Sequence, residues 1–391
     1  MNIIKEFFTQ IGEMIDNTLD KLTTNKVIKK LIIAVAILFL FIIFIALLSS
    51  CTRKKAYTYT EFEKQMVTMA KKKYEKSDKL PTEDKGVLEV PLQTFVDSGY
   101  IKDVQSVIQN KSACTGNVKI INNYGNYLYV PYLDCGKDYK TKTLYDLVVN
   151  DENIVTSGNG LYTFDNGYIF KGDKVNNYVK LNGIKYVILR VNSDGTFRVL
   201  DTTRRDMVKW DDRYNVDKNA NYGINNYVYN NINSRIKDYV EGLYNNTEII
   251  KKSMKPYYVS TDVCIGKRSE NDNIFDTSIE CKEMADKHPF TLITANEFYL
   301  ATLDSNCTNE KLETCSNYNY LSDIGSTWTI TADKDTSFKV WKMNNGVYLS
   351  NGSLNSYVKI VTTFNKDLVI ESGDGSSEKP YIIRTFDTKK K

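Results

Sequence analysis

The sequence predicts an α+β protein: an N-terminal transmembrane helix, a small membrane-proximal α+β module, and a larger, mostly antiparallel β domain with two or more helices. Three observations carry this reading. Leu31–Leu48 holds no charged or polar side chain. Apolar residues recur every three or four positions in Tyr57–Lys76 and again from Ile224 to Leu243, the period of a helix with one buried face. Elsewhere, short runs of β-branched and aromatic residues are punctuated by Asn-Gly and Asp-Gly pairs, the preferred tight turns between antiparallel strands. At about 100–200 residues per domain, a chain of 391 residues has room for two folded units.

Residues 1–30 read as a cytoplasmic amphipathic segment. Ile4, Phe7, Ile11, Ile15, Leu19 and Leu22 fall on one helical face, suited to the inner leaflet or to docking on another protein. Residues 31–50 form the expected transmembrane helix. Its core of about 18 apolar residues, at about 1.5 Å each, reaches roughly 27 Å, close to the thickness of the hydrocarbon layer. A signal-peptide core is shorter, about 7–15 residues, so a retained anchor in the lipid bilayer is favoured. Leu48-Ser49-Ser50-Cys51 resembles the lipobox of bacterial lipoproteins, which makes Cys51 a lipidation candidate. Lys5, Lys21, Lys26, Lys29 and Lys30 before the span balance Arg53, Lys54, Lys55, Lys64 and Lys71 after it, so loop charge does not orient the chain.

Residues 57–141 read as the membrane-proximal module. Phe62, Met66, Met69, Ala70 and Tyr74 give its opening helix a buried face, and Leu80-Pro81 ends that helix because the residue before proline avoids the helical region. Val87–Tyr100 supplies a short strand and one or two helical turns from near Pro91. Val118–Asn122 and Tyr127–Leu133 flank Asn123-Tyr124-Gly125-Asn126 as a β-hairpin. Cys114 and Cys135 are equidistant from the centre of that hairpin, so antiparallel pairing brings them opposite one another and a disulfide is expected. Closing a loop of roughly twenty residues is worth about 3 kcal/mol.

Cys264, Cys281, Cys307 and Cys315 allow three connectivities. Neighbour pairing, Cys264–Cys281 and Cys307–Cys315, closes the shortest loops and is the expected one. The rival, a four-cysteine zinc site, lacks any C-x-x-C knuckle. An even set of cysteines beyond the span fits an oxidising exterior, which places the N-terminus in the cytoplasm and the ectodomain outside the cell.

Residues 142–165, with Ser157-Gly158-Asn159-Gly160, read as a linker. Residues 166–386 form the larger domain. Val179–Leu181, Ile184–Val191 and Thr196–Leu200 are joined by Asn182-Gly183 and Asp194-Gly195 as three antiparallel strands. A helix follows over Ile224–Leu243, then a strand at Thr291–Ile293 and a capping box, Thr294-x-x-Glu297, opening a short helix. Further strands are expected at Trp328–Thr331, Phe338–Met343, Val347–Ser350, Tyr357–Val361 and Leu368–Glu371.

The chemistry is bounded by a single histidine, His288, which removes His-rich zinc sites and leaves one imidazole for any triad. No nucleophile elbow accompanies it, so it reads as a loop residue. Ser376-x-x-Lys379 has the spacing of a penicillin-binding-protein nucleophile, but it follows a Gly-Asp-Gly turn and lacks the partner motifs. Asp217, Asn219 and Asn221 alternate as calcium ligands do, yet Tyr222 and Val228 stand where such a loop needs glycine and glutamate. Trp210, Trp328, Trp341, Tyr348 and Tyr357 supply either core or a sugar-stacking face, with core favoured. No cofactor or catalytic set is expected. A net charge of +4, from 52 basic and 48 acidic residues, speaks against nucleic acid as a partner.

Two stretches carry a resemblance. Tyr59–Thr141, through Met66-Val67-x-x-Ala70-Lys71-Lys72, Leu92-Gln93-Thr94, Gly99-Tyr100-Ile101, Cys114-x-Gly116-x-Val118 and Tyr132-Leu133-x-Cys135, resembles pilin-like, membrane-proximal modules of surface proteins in low-GC Gram-positive bacteria. Phe170–Arg384 is similar to an uncharacterised Asn/Tyr-rich domain that follows such modules. Its landmarks are Gly172-Asp173-x-x-Asn176-Asn177-Tyr178-Val179, Leu292-Ile293-Thr294-x-x-Glu297, Ser326-Thr327-Trp328 and Ser372-Gly373-Asp374-Gly375-Ser376-Ser377-x-x-Pro380-Tyr381. The resemblance implies a C-type-lectin-like fold for that domain. The expected function is a single-pass cell-membrane protein whose disulfide-braced ectodomain binds a surface protein or glycan without catalysis. The alternative is a structural subunit of a pilus-like or cell-envelope assembly.

Overall fold

The computed structural model describes residues 56–101, 103–108, 113–265, 284–307 and 312–386, with isolated helical positions between Thr9 and Phe41. The chain divides into two compact units, Met1–Tyr57 and Thr58–Lys391. Among the described residues no helix is long and apolar enough to cross a membrane. Most of the expected span at 31–50 lies outside them, as do Cys51 and Cys281, and with Cys281 the expected Cys264–Cys281 pair.

The second unit is α+β, mostly sheet with few helices. It opens with the helix Tyr59–Tyr74, started by a capping box in which Thr58 and Glu61 satisfy each other's backbone amides. Its apolar stripe, including Phe62, Met66, Val67 and Ala70, is buried against the hairpin Thr115–Asn123/Asn126–Asp134. Val87–Pro91 completes a three-stranded antiparallel sheet on the other side of Thr115–Asn123. A strand turns successive side chains to opposite faces, so Val118 and Ile120 go fully into the core while Asn117 and Lys119 point to the other face. Cys114 and Cys135 are joined by a disulfide with Cα atoms 4.1 Å apart.

Residues 142–165, expected as a linker, are structured. Thr143 and Asp146 form a capping box for the helix Leu144–Val148, and Leu144 and Val148 are buried. The backbone here pairs with the C-terminal region: Thr143 bridges to Val369, and the Leu144 amide donates to the Leu368 carbonyl at 2.8 Å. Gly160–Phe164 and Gly167–Lys171 then form a hairpin around Asp165-Asn166, both with positive φ.

The main sheet has ten strands among the described residues. Its spine runs Tyr258–Val259, Val361–Phe364, Phe197–Asp201, Ile184–Val191, Tyr178–Leu181, Tyr381–Ile383 and Ile370–Ser372. Tyr381–Ile383 lies parallel to Tyr178–Leu181, inside an otherwise antiparallel sheet. A second, three-stranded sheet of Thr327–Ala332, Lys339–Met343 and Val347–Asn351 stands apart. Trp210 and Trp328 tie the region between Met207–Lys209 and this sheet together: the Trp210 indole donates to the Thr329 carbonyl at 3.0 Å and the Trp328 indole to the Val208 carbonyl at 2.8 Å.

Two expected elements need correction. The apolar period from Ile224 to Leu243 yields a helix only over Arg235–Asn245. Before it, Val228–Tyr229 and Ile232–Asn233 fold back through Asn230-Asn231, both left-handed, and Ser234 caps the helix start. The expected strand Tyr357–Val361 is two strands: Asn355–Tyr357 pairs with Met207–Lys209, and Val361–Phe364 pairs with Phe197–Asp201.

Candidate ligand-binding cleft

The outer face of the small sheet and the loop tips of the large sheet enclose a cleft of about 570 Å³. That volume falls in the range of about 300–1,000 Å³ that holds small-molecule ligands. The small sheet contributes Glu89, Asn117, Lys119 and Tyr132. They share one face because Glu89 is paired with Lys119 and Asn117 with Tyr132 across adjacent strands. Opposite them stand the turn Ser193–Gly195, the turn residues Lys366 and Asp367, and Thr143, Tyr145 and Asp146 at the start of the helix Leu144–Val148.

Each wall is held by local chemistry. Asp194 accepts from the Thr196 amide at 3.0 Å and the Thr196 hydroxyl at 2.6 Å, which fixes the tip of its hairpin. Burial opposes ionisation of Asp194, but these bonds and the Lys85 ammonium at 3.3 Å outweigh it and hold its carboxyl below the usual range. Gly195 has φ +82°, and a Cβ there would sit 2.9 Å from the Lys366 side chain and 3.3 Å from the Tyr145 ring. Glycine is therefore what lets the turn press against those two residues. Across the cleft Lys119 donates to Asp367 at 2.9 Å, a half-buried ion pair that pins the small sheet to the large one. The Asn117 side-chain oxygen, also in this wall, is buried without a hydrogen-bond partner.

The residues singled out by sequence lie elsewhere. Ser376 and Lys379 belong to an irregular turn in which the Ser376 hydroxyl accepts from the Lys379 amide at 3.1 Å. Asp217 lies in a 3-10 turn ending at Asn219, whose left-handed backbone and bond from the Tyr214 hydroxyl make it a turn former. Among the described residues no group of three or more His, Cys, Asp or Glu side chains could hold a metal. His288 is half-buried, with Nδ1 2.9 Å from the Phe290 carbonyl oxygen and its ring edge-on to Tyr244. Burial lowers its pKa from the ordinary 6.5. Trp210 and Trp328 are completely buried, and Tyr357 carries the Arg204 guanidinium over its ring at 4.1 Å. Tyr348 is exposed and Trp341 half-buried in the second sheet. Cys307 and Cys315 form a second disulfide, Cα atoms 4.6 Å apart.

None of the cleft residues carries a catalytic or binding motif, since they come from six separated segments. The one sequence signal was alternation: polar Asn117 and Lys119 interleave with Val118 and Ile120, so the hairpin had to offer a polar face to something. No protein-family model, curated protein or solved structure matches the chain.

Proposed function

We propose that this chain is a single-pass membrane protein whose extracellular part, Thr58–Lys391, binds a ligand in the cleft between the small sheet and the large one, without catalysis. The observation that carries the binding reading is the cleft itself: concave, lined mainly by polar and charged residues, and walled by elements fixed through a capping box, a hairpin turn and the Lys119–Asp367 pair. The apolar run Leu31–Leu48 supports the anchor, and the two disulfides are compatible with an oxidising exterior. The pilin-like reading of the first module and the C-type-lectin-like reading of the larger part both rest on the sequence landmarks.

The test is accessibility on intact cells. A membrane-impermeant protease or biotin reagent should reach the region after Tyr57, and thiol labelling without reductant should leave Cys114, Cys135, Cys307 and Cys315 unmodified. Complete protection of that region, or free thiols at those four positions, overturns the reading. The alternative of a pilus-like or envelope subunit is favoured by the helix Tyr59–Tyr74, which begins shortly after the apolar run. Cross-linked ladders of this chain on cells would support it.

A further inference from the structure

We infer that the cleft takes a saccharide, and that one bearing protonated amines is preferred to its neutral counterpart. The inference rests on the binding reading above and names the ligand class for the same site.

The lining excludes the other small-ligand classes one at a time. Lipids and drug-like apolar molecules need an extended apolar floor, and among the described residues no Leu, Ile, Val, Phe or Met lines this cleft. A phosphate or sulfate needs unneutralised cations. Here Lys119 is bound to Asp367 and Lys85 to Asp194, which leaves Lys366 in the lining against the exposed Glu89 and Asp146. A divalent cation needs converging carboxylates, and among the described residues none converge closely enough. A peptide is generally anchored by a large apolar side chain in a matching pocket, which the cleft lacks.

What the cleft does offer suits hydroxyl groups. Carboxylates, the Asn117 amide, Thr143 and Ser193 present acceptors and donors on rigid backbone, and a ring of vicinal hydroxyls can satisfy several of them at once. Tyr132 and Tyr145, both half-buried, stand in the walls as flat apolar surfaces for a sugar's C–H face. The excess of carboxylates, with Glu89 and Asp146 exposed, adds attraction for an amine.

The experiment uses the full chain in detergent micelles and measures binding of four probes: a glucosamine tetramer, its N-acetylated counterpart, a sulfated oligosaccharide of similar length, and tetralysine. The expected order puts the glucosamine tetramer first, tighter than the N-acetylated form by roughly fivefold at low salt, the worth of one half-exposed ion pair. That gap should close in high salt, and the sulfated probe should not bind. Tyr132→Ala and Asn117→Ala should each weaken the glucosamine tetramer by at least roughly fivefold while leaving the unfolding midpoint nearly unchanged. Glu89→Gln should remove the preference for the amine and spare the N-acetylated form. Binding of tetralysine alone, tighter binding of the sulfated probe, saccharide binding that survives Tyr132→Ala and Asn117→Ala together, or no binding of either saccharide overturns the ligand class. If protease reaches the ectodomain on cells in those cases, the tethered reading stands and only the saccharide fails.

Discussion

The seam between the small sheet and the large one is closed around Glu63 and open around Lys119. At the closed part, Glu63 of the first helix is wholly buried and bonded by the Thr141 hydroxyl and the Arg384 guanidinium. The Tyr257 hydroxyl accepts from the Phe386 amide at 3.1 Å, and the Asn123 amide bonds the Tyr258 carbonyl. At the open part the half-buried pair Lys119–Asp367 and the more exposed pair Lys85–Asp194 cross a cleft with charged walls. Both parts hold salt bridges joining the same two layers. The difference teaches that burial, and not the presence of an ion pair, decides whether a contact locks a fold or only positions a surface.

The largest effect should come from the closed part. Glu63→Ala leaves Arg384 buried and unpaired, and should cost about 3–5 kcal/mol in denaturant unfolding, whereas the double replacement Glu63→Leu/Arg384→Met should recover most of that loss. A single mutant that loses less than the double one would break the comparison.

Replacing Cys114 and Cys135 together by serine frees a loop that spans 21 positions and should cost about 3 kcal/mol by the same measurement.

A pH series sharpens the contrast between buried pairs. Burial raises the Glu63 pKa above its ordinary 4.5, against the opposing pull of Thr141 and Arg384. Its favourable contribution is therefore full below pH 4.5 and declines as pH rises through the raised value. Glu297, buried against Arg198, has the reverse sign. Burial opposes its ionisation, but Arg198 wins and lowers the pKa, so its contribution is present above pH 4.5 and is lost as pH falls through the lowered value. Glu297→Gln should flatten the acid limb of the stability curve, and Glu63→Gln should flatten the decline on the other side. The same sign for both variants would refute this.

At the open part, a double-mutant cycle on Lys119→Ala and Asp367→Ala should give a coupling of at most about 1 kcal/mol that fades with salt. The smallest effect belongs to His288. As the only imidazole in the chain it should give one NMR titration, with a midpoint below 6.5, and stability contributed by its neutral form should be present above that value and lost on acidification.

Much of the local structure was legible. The capping pair at Thr294, the turns at Asn182-Gly183 and Asp194-Gly195, and the symmetric placement of Cys114 and Cys135 are short-range patterns, and each has one favourable backbone answer. The split at Ile224–Leu243 was less legible, because a helical period of apolar residues competes with an Asn-Asn turn, and only the pairing of Val228 with Asn233 decides between them. The strand Tyr381–Ile383 was hidden because its partner, Tyr178–Leu181, lies some two hundred positions earlier and runs parallel to it.

By itself, then, the sequence determined the cap at Thr294, the turns at Asn182-Gly183 and Asp194-Gly195 and the hairpin between Cys114 and Cys135, and it bounded the chemistry by its one histidine. Tertiary structure alone decided that Glu63 meets Arg384 and that Glu89, Asn117, Tyr132, Tyr145, Asp194 and Asp367 share a cleft. The physical reason is that these groups meet through the docking of two sheets, and docking depends on the shapes of whole buried faces, which no local pattern encodes.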